Sequence, residues 1–131
     1  MRLRPALAGY DVVYATVEES NRRDVPDAEF HTFPDANKTT KIAVVRLAIA
    51  MRRLVRSVRP SVVITTGAAP GYFALRYGDR IGARTIWVDS IANAHQLSLS
   101  GRLVRDIADI WLTQWSDLEQ QNGPYYVGSV L

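Results

Sequence analysis

Apolar runs separated by polar punctuation divide the chain into short and long segments in alternation. Asp11 to Thr16, DVVYAT, is β-branched and aromatic with no helical period, and predicts a buried strand. The polar stretch VEESNRRDVPD has no periodicity and reads as a loop, after which AEFHTFP alternates imperfectly and stops at Pro34, as a short edge strand would. From Thr39 to Val58 the spacing becomes helical. Val44, Leu47, Met51, Leu54, Val55 and Val58 fall on one face, and Arg46, Arg52, Arg53 and Arg56 on the other. Thr39 or Thr40 caps its start, and Arg59-Pro60 ends it, because proline disfavours helical geometry in the residue before it.

The alternation continues with a strand from Ser61 to Thr66, a helix from Tyr72 to Ile81 closing near Gly82, and a strand from Arg84 to Asp89. A polar loop, SIANAHQLSLS, leads to a helix from Gly101 to Asp109 and a last strand, IWLTQW. Strands with near-continuous apolar interiors alternating with helices predict an α/β, Rossmann-like parallel sheet with helices on both faces, in one domain spanning residues 1–131.

Composition narrows this picture only a little. At 131 residues, 47% hydrophobic and 22% charged, the chain is ordinary for a globular domain, and no apolar run reaches the roughly 20 residues of a membrane-spanning helix. The N-terminal MRLRPALAGYD lacks the apolar core of a secretory signal. Without cysteine there is no disulfide or thiol chemistry, and with only His31 and His95 no conventional zinc site is expected. A reducing cytoplasm is the expected compartment, and no metal or cofactor is called for. The net charge of +3 leans toward anionic partners.

In a doubly wound sheet, ligands bind at the carboxyl ends of the strands. Thr66, Gly67, Ala68 and Gly71 lie there. Glycines let a backbone approach a ligand, and free N–H groups at the next helix start favour phosphate, although glycine and proline also serve turn geometry alone. The stretch is neither a P-loop nor a dinucleotide GxGxxG. Asp89 and Ser90 end the next strand and open on the same crevice, where a carboxylate either orients a hydroxyl or acts as base, or simply shapes the loop. Ser98 and Ser100 precede a helix that one of them caps, and His95, in the loop between, is a candidate acid–base group or a solvated side chain. The arginine face, with Ile42, Val45 and Ile49 near it, is either a solvated helix side or a contact for anionic lipid. Gln114 and Trp115 reach the crevice, a partner subunit or the core. The arginines are not interleaved with aromatics, so nucleic acid is not an expected ligand.

Taken together, VVITTGAAPG, GARTIWVDSIANAHQLSLSGRLVRDIADIWLTQW and the closing YYVGSVL resemble the asparagine-linked glycosylation protein 14 family, whose bacterial relatives are PssD-type exopolysaccharide glycosyltransferase subunits. The similarity runs from about Asp11 to the C-terminus. It implies the N-terminal, acceptor-side half of a split GT-B glycosyltransferase related to MurG. A separate subunit would bind the UDP-sugar, UDP-N-acetylglucosamine being the expected donor, and this chain would receive a lipid-diphosphate-linked saccharide in a cleft lined by Thr66, Gly67, Ala68, Gly71, Ser90, Ser98 and Ser100. Asp89 and His95 are then the candidates for base work. Arg46, Arg52, Arg53, Arg56, Gln114 and Trp115 are the candidates for membrane or partner contact, at the cytoplasmic face of the inner membrane.

Family members usually begin with a further strand and a Gly-Gly-His turn, and many carry glutamate where this chain has Asp89. Here Met1 to Leu7 resembles the end of the helix after that turn, so the first strand is expected to be missing. Its loss from the centre of the sheet would leave a gap between DVVYAT and SVVITT or force the two to pair directly. The alternative function is a non-catalytic interaction module that docks a partner.

Overall fold

The computed structural model describes residues 3–34 and 40–130; Thr39, one of the two expected helix caps, lies outside them. Its elements run in the order β1 (Val13–Thr16), β2 (Glu29–Thr32), α1 (Lys41–Val58), β3 (Val62–Thr65), α2 (Ala68–Arg80), β4 (Arg84–Val88), α3 (Leu99–Leu103), β5 (Ile110–Thr113) and β6 (Tyr125–Tyr126), with single 3-10 turns at Arg4–Leu7, Glu19–Asp24 and Ser116–Leu118.

α1 forms as its spacing predicts. The Thr40 hydroxyl accepts the Ala43 N–H at 3.3 Å, satisfying a donor that the helix itself leaves free. At the other end Arg59 takes a left-handed conformation (φ 49°, ψ 57°) and donates its N–H to the Val55 carbonyl, and Pro60 prevents continuation. Leu47, Met51 and Val55, four residues apart, are buried, and α1 packs on α2.

α2 in turn covers β3 and β4. It comes close because Gly78 has no side chain: a Cβ there would lie 2.7 Å from the Val63 Cγ2. The core beneath is Val63, Leu75, Ala83, Trp87, Val104 and Trp111. Trp87 and Leu75 are fully buried, and truncating either to alanine is expected to cost about 2–5 kcal/mol.

The strands are all parallel but form two sheets, β1-β2 and β3-β4-β5-β6. Among the described residues no ladder joins β1 to β3, so of the two expected outcomes the gap is the one observed. β1 therefore has a neighbour on one side only, and it is half-buried rather than buried. On β3, Val63 and Thr65 face α2, while Val62 and Ile64 on the opposite face are 47% and 42% exposed.

The largest differences from the sequence reading lie at the start of α2, the end of α3, the end of β5 and in β6. α2 begins at Ala68 rather than Tyr72, because a proline at its third position removes an N–H that has no helical partner anyway. α3 stops at Leu103 rather than Asp109. There the Thr85 hydroxyl donates to the Ile107 carbonyl at 2.6 Å, and the Thr85 N–H donates to the Asp109 carboxylate at 2.8 Å. These bonds pin 107–109 to the start of β4, where a helix cannot continue. β5 ends at Thr113, leaving Gln114 and Trp115 beyond it, and the two-residue β6 was too short for periodicity to reveal.

Candidate functional site

The carboxyl ends of β3, β4 and β5 carry the turn into α2, the 89–98 loop and the Gln114–Trp115 pair. The turn is set by Thr65, a residue the sequence reading passed over. Its buried hydroxyl accepts the Gly67 N–H at 3.3 Å, and Gly67 then adopts φ 119°, ψ −169°, a region open essentially to glycine alone. Ala68 follows at φ 63°, unusual for a residue with a Cβ. Gly67 also backs closely on the next loop, since a Cβ there would lie 3.6 Å from that of Ser90.

No side chain caps α2. Among the described residues the N–H groups of Ala68 and Ala69 have no partner, and Pro70 has none to offer. Together with the positive end of the helix dipole they make a short edge whose chemistry suits an anion, with exposed Thr66 at its rim. Gly71 has a different role: a Cβ on it would collide with the Thr65 hydroxyl, so it lets α2 seat on β3 rather than letting a ligand approach.

Asp89 is 1% exposed. Its carboxylate accepts the Ser98 hydroxyl at 2.7 Å and the Ser98 N–H at 3.0 Å, the Trp87 indole N–H at 3.2 Å, and the Asn93 side-chain amide at 3.4 Å. A buried carboxylate with four donors serves as a structural acceptor. It faces inward, toward these four donors. Ser98 is occupied as well, because its hydroxyl also accepts the Gly101 N–H at 2.8 Å and so caps α3. Gly101 is required there: a Cβ would come 2.7 Å from the Asp89 Oδ1. Ser90 and Ser100 are half-buried, and His95 is exposed in the loop.

Gln114 is buried at the end of β5. It is 8% exposed; its side-chain NH2 donates to the Asp89 carbonyl at 2.9 Å, and its Oε1 accepts the Val130 N–H at 3.0 Å. Trp115 stays at the surface while its indole N–H donates to the Ile91 carbonyl at 2.9 Å. Tyr125, Tyr126, Val127 and Val130 leave an exposed apolar strip after β5.

On α1, Arg46, Arg52, Arg53 and Arg56 are exposed, and among the described residues none has a carboxylate partner. Ile42, Val45 and Ile49 share that side at 66%, 56% and 46% exposed. A depression of about 560 Å³, lined by Arg56, Arg59, Pro60 and Ile81, lies at the opposite end of the sheet from the α2 turn. Among the described residues no group of three His, Asp or Glu side chains is placed to hold a metal, and no helix is long and apolar enough to cross a membrane.

Comparison with known proteins fits this geometry. Residues 16–130 match the model of the family described as oligosaccharide biosynthesis protein Alg14 like. The UDP-N-acetylglucosamine transferase subunit ALG14 of Yarrowia lipolytica is 28% identical over 118 residues, 80% of this chain and 54% of that protein. The subunit of the same name from Eremothecium gossypii is 35% identical over 94 residues, 66% of this chain and 42% of that protein. The chain thus spans about half the length of the curated relatives it matches. Among solved structures, MurG of Acinetobacter baumannii superposes on 96% of this chain and 39% of its own, with a TM-score of 0.72 at 8% identity. The likeness shows the fold, that of a GT-B N-terminal half.

Proposed function

The chain belongs to the Alg14-like family of oligosaccharide biosynthesis proteins, and from that premise we propose that it is the acceptor-binding, membrane-recruiting subunit of a two-part glycosyltransferase. The donor is a UDP-sugar, UDP-N-acetylglucosamine by the naming of its relatives, held by a separate subunit. The observation that carries the reading is the uncapped start of α2 beside Ser90. The N–H groups of Ala68 and Ala69 suit the diphosphate of a lipid-linked saccharide, with Thr66 at the rim.

Transfer is inverting, and this chain's part in it is to hold the acceptor so that its hydroxyl meets the sugar presented by the partner. Asp89 acts by shaping the loop, and any proton transfer made by this chain falls to exposed His95. Recruitment rests on α1, whose exposed arginines and exposed Ile42, Val45 and Ile49 suit an anionic lipid surface. Trp115 and the apolar strip after β5 suit the partner subunit.

The deciding experiment measures transfer from labelled UDP-N-acetylglucosamine to membrane lipid acceptors in the presence of a candidate donor-binding subunit, with and without this chain. Transfer that depends on the chain is expected. The gap between β1 and β3 favours a second reading, a docking module without acceptor binding. Under that reading the subunits associate, and no transfer appears.

A further inference from the structure

Gln114 joins two segments, the C-terminal strip and the loop at the candidate cleft. Its amide is buried, and both of its polar ends are used: the NH2 on the Asp89 carbonyl at 2.9 Å and the Oε1 on the Val130 N–H at 3.0 Å. Asp89 is itself the anchor of the loop, through Ser98 and Asn93, and Ser90, the next residue, backs the Gly67 turn. A run of direct contacts therefore leads from Val130 through Gln114 and Asp89 to both walls of the crevice.

We propose that Gln114 is a positioning residue through which the C-terminal segment sets the geometry of the 89–98 loop, so that whatever docks on or displaces residues 125–130 is felt at the cleft. An amide suits this position because it donates in one direction and accepts in the other. Leucine, of similar size, does neither. The significance of the coupling for acceptor binding rests on the function proposed above, whereas the coupling itself is a property of the chain alone.

Hydrogen exchange on the whole chain separates the two. The amide of Ser98, donated to the Asp89 carboxylate, reports the loop, and core amides of α2 around Leu75 report global stability. Gln114→Leu is expected to speed Ser98 exchange by about three- to tenfold, the effect of one net hydrogen bond, with the Leu75 region unchanged. Val130→Pro, which removes the N–H that Gln114 accepts and also fixes the local φ, is expected to do the same from the far end, and the double variant is expected to add little to either single one.

A purely structural role for Gln114 would leave Ser98 insensitive to Val130→Pro. That result would overturn the proposal, as would equal acceleration in the loop and in the Leu75 region. Either failure would leave the transferase reading standing, since that reading is tested by sugar transfer.

Discussion

Two residues at the α2 turn carry the sharpest local constraints. Ala68 sits at φ 63°, where a Cβ costs roughly 1–2 kcal/mol. Ala68→Gly is therefore expected to stabilise the protein by about 1 kcal/mol in urea unfolding while leaving the turn's N–H groups in place. Gly71→Ala is expected to destabilise by about 1–3 kcal/mol through overpacking against Thr65. Adding Thr65→Ala should recover part of that loss, giving a double-mutant coupling that unfolding curves can read.

Asp109 supplies the pH dependence at the same scale. The Thr85 N–H bond, then the Thr85 hydroxyl and the nearby Arg84 charge, hold its carboxyl below the usual aspartate value. A group depressed in the folded state contributes stability that is fully present above its unfolded pKa and is lost as pH falls through the folded one. Asp109→Asn should therefore lower the melting temperature at neutral pH and flatten its fall in acid.

At the scale of elements, legibility followed the range of the forces involved. α1 could be read from the sequence because its cap, its period and its proline stop all lie within the segment. The start of α2 could not, because Pro70 and Gly71 look like a loop until it is seen that Gly71 must pass Thr65. α3 was overextended for the opposite reason: the bonds that end it come from Thr85, far away in sequence. At the candidate site, position was legible and state was not. Ser90, Gly67 and Asp89 do meet at the strand ends, but the burial of Asp89 and Gln114 depends on Asn93, Ser98 and Val130, partners that spacing does not reveal. The exposed side of α1 yields its own prediction: replacing Arg52, Arg53 and Arg56 with serine should reduce sedimentation with anionic vesicles at low salt. Unchanged sedimentation would remove α1 as the lipid contact.

At the scale of the molecule, the division into two sheets implies uneven stability. A pair of parallel strands alone is marginal, and among the described residues β1-β2 is joined to no further strand, whereas β4 lies between β3 and β5 and carries the fully buried Trp87. Amides of Val13–Thr16 are expected to exchange at least tenfold faster than those of Ile86–Val88, since local opening there needs no loss of the core.

Among the described residues one side of β3 has no strand beside it, which bears on handling the protein in solution. An unpaired strand edge with bare valine and isoleucine beside it is a template on which another chain can lay down backbone hydrogen bonds. Self-association should therefore begin at β3 and set a ceiling on usable concentration, and a single charge on that strand, as in Ile64→Lys, should raise the ceiling without touching the cleft.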